Sequence, residues 1–312
     1  MRSEDEAGLL FPGQGAHGPF MLDGVRQHSS FNYRYHLTCD ALGHDPLSRI
    51  SRGEDPEFIN ANAVSSLLTV LASAISYDEW LENNQPPLAV AGYSIGQWTA
   101  LYASGAIGFE SLVEVIRQRA SLMDECCAIV PGAMMALMGI SPTELSEFCE
   151  TLRGEAFEIA ISNYNCYGQY SLAGTVNAIE EALARVDQLK PKKAIRIPTS
   201  GAWHCHLLEP AAAKFRQYLE SVQFNELKFP VVDNVTGEFL PTRSDDIRDQ
   251  LSRHVCSPVL WDKGVKTLIT FGCKRLIEIG YGNVLTKFGF FIDRSMAHTS
   301  YYPAAVLAQC VE

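Results

Sequence analysis

The sequence lacks the features that mark several whole classes of protein. No apolar run reaches the length of about 18 residues that indicates a membrane-spanning helix, so we expect no membrane segment. The formal net charge is −11 over 312 residues, and no broad basic face is available to neutralise phosphates, which excludes a typical nucleic-acid binder. The first residues, MRSEDEAG, are acidic and have no apolar core, so we expect no secretory signal there.

Cysteines are present, but their spacing indicates no metal site. The nine thiols are scattered, without a CxxC pair or the Cys/His spacing of zinc ligands. Cys126 and Cys127 are adjacent within a helical pattern. An odd, unclustered set of this kind is typical of reduced thiols in a cytosolic protein, so we expect a cytoplasmic location and no bound metal.

Strand and helix patterns alternate in the first part of the chain. GLLFPGQG, from residue 8, indicates a short strand that breaks at Pro12-Gly13, and residues 61–83 have helical periodicity. PPLAVAGYS is a brief buried strand, and a helix is expected to begin at about Ile95. This alternation predicts an α/β fold with a parallel sheet covered by helices.

The middle of the chain has a different pattern. Residues 132–140 indicate a strand, and a helix with Ser141 as its N-cap follows. Two strands separated by a Tyr-Gly turn, a second helix and a last strand complete the order βαββαβ, which is the ferredoxin-like unit. We therefore predict a small inserted domain at 132–197, a large domain formed by 1–131 and 198–312, and a cleft between them.

A serine lies between two glycines in Gly92-Tyr93-Ser94-Ile95-Gly96. A sharp turn between a strand and a helix would lift the Ser94 hydroxyl above the sheet, and the N–H of Ile95 would face the same point at a helix N-terminus. That N–H would supply half of an oxyanion hole. A serine that merely occupies a glycine-rich bend is the alternative.

A nucleophilic serine needs a base, and the chain has eight histidines. The segment TSGAWHCHLLEP is unusual, because His204 and His206 flank a cysteine just after the predicted domain junction. Spacing alone does not choose between these two. An esterase with a Ser–Asp–His triad would instead place its histidine near the C-terminus, where His298 is the candidate.

One local basic segment interrupts the acidic chain. LKPKKAIR contains four cations, at Lys190, Lys192, Lys193 and Arg196. It is either a solvated strand edge or a surface for an acidic partner.

Several motifs together resemble the malonyl-CoA:acyl-carrier-protein transacylases, the acyltransferases of fatty-acid and polyketide synthesis. LLFPGQGA is similar to the N-terminal motif of that family, and AGYSIGQWTALYASGAIGFE to its nucleophile motif. RQRASLM, GAMMALMGI, ISNYNCYGQYSLAG, SGAWHCHLLEPA, CSPVLW and LIEIGYGNVLTKF follow in the family's order. The resemblance runs nearly end to end and implies an α/β-hydrolase-like large domain with an inserted ferredoxin-like domain.

The resemblance implies roles for particular residues. Ser94 matches the serine that becomes acylated, and His204 matches the histidine that takes its proton. Gln14 matches a glutamine beside the oxyanion hole, although it could be only a turn residue. Arg119, rather than the neighbouring Arg117, matches the arginine that pairs with the malonyl carboxylate.

Two further positions are implied by the same resemblance. Leu260 matches a position whose backbone carbonyl orients the catalytic histidine, so that no triad acid is needed. Asn163 matches a residue that lines the cleft.

Three positions depart from the commonest family pattern. Tyr93 replaces a histidine before the serine, Gln97 replaces a glutamate, and Trp203 stands where phenylalanine or a small residue is commoner. We expect all three around the acyl pocket. Trp203 would either exclude acyl groups with an α-substituent or form a wall for a larger acyl group.

The implied activity is transfer of an acyl group, most readily malonyl, from CoA to the phosphopantetheine thiol of an acyl carrier protein, without a cofactor. Such carriers are typically acidic, which favours the basic segment as a docking edge. A trans-acting polyketide acyltransferase for an unusual acyl group, or for carrier-to-carrier transfer, is one alternative. Others are a carrier thioester hydrolase on the same fold, the esterase, and a catalytically silent docking subunit.

Overall fold

A computed structural model describes residues 6–52 and 58–303, with two separate sheets. The strands are β1 (Ala7–Phe11), β2 (Ala89–Gly92), β3 (Gly132–Met138), β4 (Ile159–Cys166), β5 (Gln169–Thr175), β6 (Lys193–Ile197), β7 (Val231–Val232), β8 (Arg275–Ile279) and β9 (Ala297–Tyr301). The helices are α1 (Phe31–Leu42), α2 (Pro46–Arg52), α3 (Asn62–Glu82), α4 (Gly96–Ala103), α5 (Phe109–Ile129), α6 (Pro142–Gly154), α7 (Val176–Arg185), α8 (Glu209–Leu219), α9 (Ser244–Cys256), α10 (Trp261–Phe271) and α11 (Val284–Ile292).

The larger sheet is parallel throughout, in the order β7-β2-β1-β8-β9. The central strand β1, AGLLF, and its neighbour β2, AVAG, are buried along their whole length. Such short, continuous apolar runs are typical of parallel strands that are covered on both faces. The carboxyl ends of β1 and β2 therefore lie side by side, as Phe11 pairs with Gly92, and this is the edge where ligands bind in open α/β sheets.

The smaller sheet is antiparallel, in the order β4-β5-β3-β6, and α6 and α7 complete the predicted βαββαβ order. Helix α6 begins at the predicted N-cap, Ser141, with a capping box in which Ser141 accepts the Glu144 N–H and the Glu144 carboxylate accepts the Ser141 N–H. The sheet has its own core, which includes Met135, Phe148 and Leu172. The predicted α/β fold class, with a ferredoxin-like unit beside a parallel sheet, is confirmed.

Backbone hydrogen bonds join the small sheet to the rest of the molecule. The N–H of Tyr164 in β4 donates to the carbonyl of Val259 at 2.9 Å, and the N–H of Val259 donates to Ser162 at 2.9 Å. Val259 lies just before α10, so one edge of the small sheet is fixed against the helices of the large one. Among residues 6–52 and 58–303, no helix is long and apolar enough to cross a membrane.

Candidate active site

Ser94 lies in the turn that connects β2 to α4, with a backbone φ of +52°. Left-handed backbone is costly for a residue with a Cβ, and such strain is found at functional turns. The flanking glycines are needed sterically. A Cβ on Gly92 would lie 1.9 Å from the Gly96 carbonyl oxygen, and one on Gly96 would lie 2.2 Å from that of Phe11. The sequence therefore folds here as the predicted nucleophile elbow.

His204 faces the serine, with 2.7 Å between its Nε2 and the Ser94 Oγ. The histidine lies between β6 and α8 and also has left-handed backbone, with φ of +62°. Its other ring nitrogen, Nδ1, is 2.8 Å from the backbone carbonyl oxygen of His254. Because a carbonyl can only accept, Nδ1 carries the proton, and Nε2 is left as the acceptor for the Ser94 hydroxyl.

The residue that orients His204 is therefore His254, and the expectation for Leu260 is wrong. Leu260 is the N-cap of α10, and its carbonyl accepts the Gly264 N–H at 3.0 Å in the first turn of that helix. His254 lies in the last turn of α9, where carbonyl groups have no partner within the helix. The free carbonyl at the end of α9 is thus the one available to a side-chain donor.

Burial and charge keep His204 neutral. Its pKa is lowered to about 3, first by burial and then by the positive charge of Arg119, while the hydrogen bond to His254 opposes this shift. A neutral imidazole is the form that can accept a proton. The C-terminal end of α9 carries partial negative charge, which favours the imidazolium once the proton has moved.

Other histidines are placed elsewhere. His206 is exposed, and its Nε2 lies 2.5 Å from the carboxylate of Glu158. His298 lies on β9, at the edge of the large sheet, and its Nε2 donates to the carbonyl of Asp293 at 2.8 Å. Neither contacts Ser94, so the structure places His204 alone of these three against the serine and leaves the esterase alternative without its histidine.

Asn234, which the sequence did not single out, supports the elbow. Its Oδ1 accepts the Ser94 N–H at 2.8 Å, and its Nδ2 donates to the Gly92 carbonyl at 2.6 Å. Gln97 in turn accepts the Asn234 N–H through its Oε1 at 3.1 Å. The expectation that Gln97 lies around the acyl pocket is wrong, because its buried side chain points towards the end of β7 behind the turn. The signal for Asn234 was the segment VVDN, a strand end beside the nucleophile strand.

The predicted oxyanion hole stays a prediction, with two supporting features. Within the described residues, the hydrogen bonds of the turn use the N–H groups of Ser94, Gly96 and Gln97, and none uses that of Ile95. The Gln14 carboxamide donates to Ser65 at 2.8 Å and to Asn62 at 3.1 Å, both on α3. This anchorage holds the loop after β1 beside Ser94.

A cavity of about 230 Å³ opens above the dyad, between the two sheets. Ser94 and His204 line it from the side of the large sheet, and Met134, Asn163 and Ser171 from the side of the small one. The last residue of β6 and the three that follow it, Ile197 to Ser200, form part of its wall. The cavity is large enough for a short acyl group at the serine.

Asn163, Tyr93 and Trp203 all line this cavity, as the sequence predicted. The Tyr93 hydroxyl donates to Asn165 Oδ1 at 2.7 Å, and burial raises the pKa of that hydroxyl. The Tyr93 ring packs edge-on against Trp261. The Trp203 side chain is buried and packs over Gly201. Both aromatic rings are held by their surroundings, so the walls that they form are fixed.

Arg119 projects from α5 into the interior and is only 1% exposed. Within the described chain its side chain has no hydrogen-bond or ion-pair partner, and its Nε is buried. Burial lowers the pKa of the Arg119 guanidinium to about 10, although the negative charge of Asp124 opposes this shift. Arg119 does not line the cavity itself, but its charge acts on His204. By contrast, the neighbouring Arg117 is exposed and pairs with Glu114 at 2.5 Å. A buried cation without a partner is costly unless an anion meets it.

The predicted basic segment lies along β6, the outer strand of the small sheet. Lys193 and Arg196 are exposed on it, and Arg196 is 3.6 Å from Glu180. Lys190 has left-handed backbone just before the strand, and Lys192 packs over Gly139. The strand leads directly into the cavity wall, so these cations lie on the chain that reaches the site.

The fold and the geometry of the site, in which a backbone carbonyl holds a neutral histidine against a serine on an elbow, are those of an acyl-transfer enzyme. Over 280 residues, the chain is 32% identical to the malonyl-CoA:acyl carrier protein transacylase of Escherichia coli K12, covering 89% of this chain and 90% of that one. The transacylase of Bacillus subtilis is 30% identical, with coverage of 89% and 87%. The chain belongs to the malonyl-CoA:acyl carrier protein transacylase family.

Solved structures agree with this assignment. The acyl carrier protein S-malonyltransferase of Burkholderia pseudomallei superposes with a TM-score of 0.88 at 29% identity, over 96% of this chain and 97% of the other.

The polyketide biosynthesis protein ThaF of Burkholderia thailandensis is 31% identical over 89% of this chain, which spans 23% of ThaF. No protein-family model matched the sequence. The resemblance in the sequence motifs is thus confirmed.

Proposed function

We propose that the chain transfers a malonyl group from malonyl-CoA to the phosphopantetheine thiol of an acyl carrier protein, through an acyl ester on Ser94. The observation that carries this proposal is the Ser94–His204 hydrogen bond beneath the cavity, with the unpaired cation Arg119 close enough to act on the histidine. His254 would only orient the base, and no cofactor is required.

In the first half-reaction, Ser94 Oγ attacks the thioester carbonyl while its proton passes to His204 Nε2. The oxyanion of the tetrahedral intermediate would be held by the N–H of Ile95 and by a second donor near Gln14. The intermediate collapses with breakage of the C–S bond, and the imidazolium protonates the CoA thiolate. In the second half-reaction the carrier thiol attacks the ester as His204 takes its proton, the ester bond to Ser94 Oγ breaks, and the imidazolium returns the proton to that oxygen.

Arg119 supports the choice of malonyl over an uncharged acyl group. A planar guanidinium can present two parallel N–H donors to the free carboxylate of malonyl. The Arg119 side chain would have to turn towards the cavity to do so. The free-energy cost of burying its charge would then be offset by pairing with the malonyl carboxylate. A thioester hydrolase that clears uncharged acyl groups would have no use for this cation.

The carrier protein would dock along β6, with Lys190, Lys192, Lys193 and Arg196 facing its acidic surface. A carrier bound at β6 would lie close to the cavity, because β6 continues into the cavity wall. Its phosphopantetheine arm would then enter beside Ser200. The division into a small domain at 132–197 and a large domain at 1–131 and 198–312 is part of the same proposal, with the substrate between them. The reaction would take place in the cytoplasm.

The test is the mass of the intact protein after incubation with malonyl-, methylmalonyl-, acetyl- and longer acyl-CoA, followed by addition of holo acyl carrier protein. We expect a malonyl adduct on Ser94 that the carrier discharges. An adduct that is discharged by water alone would establish a hydrolase, and a preferred larger acyl group would establish the trans-acting polyketide alternative. Trp203→Ala, assayed in parallel, should admit methylmalonyl if the ring closes the pocket against α-substituents.

A further inference from the structure

The His254 imidazole is a buried polar group that the mechanism above does not use. Its side chain is 0% exposed, and among residues 6–52 and 58–303 neither ring nitrogen has a hydrogen-bond partner. A neutral imidazole has one N–H to donate and one nitrogen to accept with, so both requirements are unmet. Buried polar groups are nearly always paired, and an exception needs a physical reason.

The ring of His254 lies against the ring of His204. Their centroids are 4.9 Å apart and their planes differ by 26°, so the contact is a stack. The same residue also accepts the Nδ1–H of His204 through its backbone carbonyl at 2.8 Å. His254 therefore contacts the His204 imidazole in two ways. Its backbone carbonyl bonds the Nδ1–H at the edge of that ring, and its own ring packs against the face.

We propose that His254 is a positioning residue whose uncharged ring supports the face of His204 and stabilises the imidazolium that forms when His204 takes the Ser94 proton. This proposal rests on the proposed acyl-serine mechanism but on no particular acyl group. The favourable interaction is that of a cation with an aromatic face in a desolvated site. It exists only after proton transfer, so it lowers the barrier instead of strengthening substrate binding.

The surroundings keep the His254 ring uncharged throughout. Burial lowers its pKa well below the usual range, and a positive charge on His204, when that ring is protonated, and the charge of Arg119 act in the same direction. A second proton on this pair would place two cations in contact in a dry site. The proton from Ser94 therefore stays on His204, and the unpaired nitrogens of His254 are not a relay.

Two substitutions separate the face of the ring from its nitrogens. His254→Phe keeps an aromatic face and removes both nitrogens, whereas His254→Leu keeps apolar bulk and removes the face. All variants retain the backbone carbonyl that orients His204. The matched control is His298→Leu, because His298 is also buried and one of its ring nitrogens has no partner within the part of the chain that the structure describes, but it lies on β9, away from the dyad.

The measurement is the burst of p-nitrophenol released from p-nitrophenyl acetate, which reports acylation of Ser94 whatever the natural acyl donor is. It is repeated with the acyl-CoA that the wild-type protein prefers. We expect His254→Leu to lower the acylation rate about tenfold to thirtyfold with an unchanged KM. His254→Phe should remain within about threefold of wild type, and His298→Leu should not differ from it.

Equal rates for the Phe and Leu variants would overturn the proposal. If both were as fast as wild type, the ring would have no role, and if both were equally slow, a ring nitrogen would be required. Circular dichroism and the melting temperature establish that each variant is folded, and His254→Met replaces the Leu variant if the latter is not. Absence of any burst in wild type would count against the acyl-serine mechanism itself.

Discussion

Asn234 holds the turn of Ser94 from two sides, since its Oδ1 accepts the Ser94 N–H at 2.8 Å and its Nδ2 donates to the Gly92 carbonyl at 2.6 Å. Both bonds are buried, so the side-chain amide keeps a strained backbone segment paired. The left-handed conformation of Ser94 thus depends on a residue that lies 140 positions later in the chain.

Asn234→Ala should therefore impair both stability and acylation. The Ser94 N–H and the Gly92 carbonyl would be left buried without a partner, and each should lower the free energy of unfolding by about 1–3 kcal/mol. A shift of Ser94 Oγ from its position against His204 should slow acylation by roughly one to two orders of magnitude. Asn225→Ala is the control, because that exposed asparagine also bonds a backbone carbonyl, at Gly105. Urea unfolding and burst kinetics measure the two effects, and equal behaviour of the two variants would contradict the role.

The dyad itself gives the second prediction. Ser94→Ala should abolish the acyl adduct in intact-protein mass spectra, and His204→Ala should slow its formation by about 10²- to 10⁴-fold. His206→Ala should retain near-normal rates, because its ring pairs with Glu158 outside the site. An active His204→Ala protein together with an inactive His298→Ala protein would restore the esterase reading.

Local patterns predicted much of the fold and the centre of the site. The elbow glycines, the capping box at Ser141 and the βαββαβ order are encoded within a few residues of one another, so sequence alone could indicate them. Leu260 and Gln97 were misplaced because their roles depend on how distant segments pack. Which carbonyl reaches His204 is decided by the end of α9, and no local pattern indicates that position.

Acid stability gives the third prediction. The folded-state pKa values of His204 and His254 are depressed below the value of about 6.5 that an unfolded histidine has. The unfolded chain therefore binds more protons below that pH, so the stabilisation is complete above pH 6.5 and is lost as the pH falls towards the folded values, about 3 for His204.

His254→Phe should remove one of the two histidines that take up a proton on unfolding. Between about pH 6 and 5, its free energy of unfolding should fall less steeply than that of wild type, by about 1.4 kcal/mol per pH unit. Urea titrations at a series of pH values measure the slopes. His36→Phe is a suitable control, since His36 is exposed. Identical slopes for wild type and the His254 variant would show that this imidazole is not held neutral by the fold.

The edge strand β6 gives the fourth prediction. Lys193→Glu combined with Arg196→Glu should raise the KM for the acyl carrier protein several-fold and leave acylation by the CoA thioester nearly unchanged. The effect should shrink with added salt, because exposed pairs are worth under about 1 kcal/mol each. The control is the double variant Lys214→Glu with Lys266→Glu. It changes the net charge by the same amount, but on α8 and α10 and not on β6. Equal losses in both half-reactions would mean that β6 supports folding or CoA binding instead.

Arg119 gives the last prediction, and its burial makes the outcome depend on the acyl group. Removing a buried partner of a carboxylate typically costs about 3–5 kcal/mol, so Arg119→Ala should reduce kcat/KM for malonyl-CoA by roughly two to four orders of magnitude. Arg117→Ala, on the exposed face of the same helix, should leave it unchanged. Arg119→Lys should recover part of the loss, since an ammonium keeps the charge but not the two parallel donors.

The same substitution should act in the opposite direction on acetyl-CoA. The charge of Arg119 lowers the pKa of His204, so its removal should raise that pKa and strengthen the base. Stronger proton abstraction should raise acetyl transfer itself, because acetyl has no carboxylate to lose, whereas the ratio of acetyl to malonyl transfer should rise through the loss of carboxylate pairing. The values of kcat/KM for malonyl-, methylmalonyl- and acetyl-CoA on wild type and the three arginine variants measure this. Intact malonyl transfer in Arg119→Ala, or a wild-type preference for acetyl, would refute malonyl as the natural acyl group.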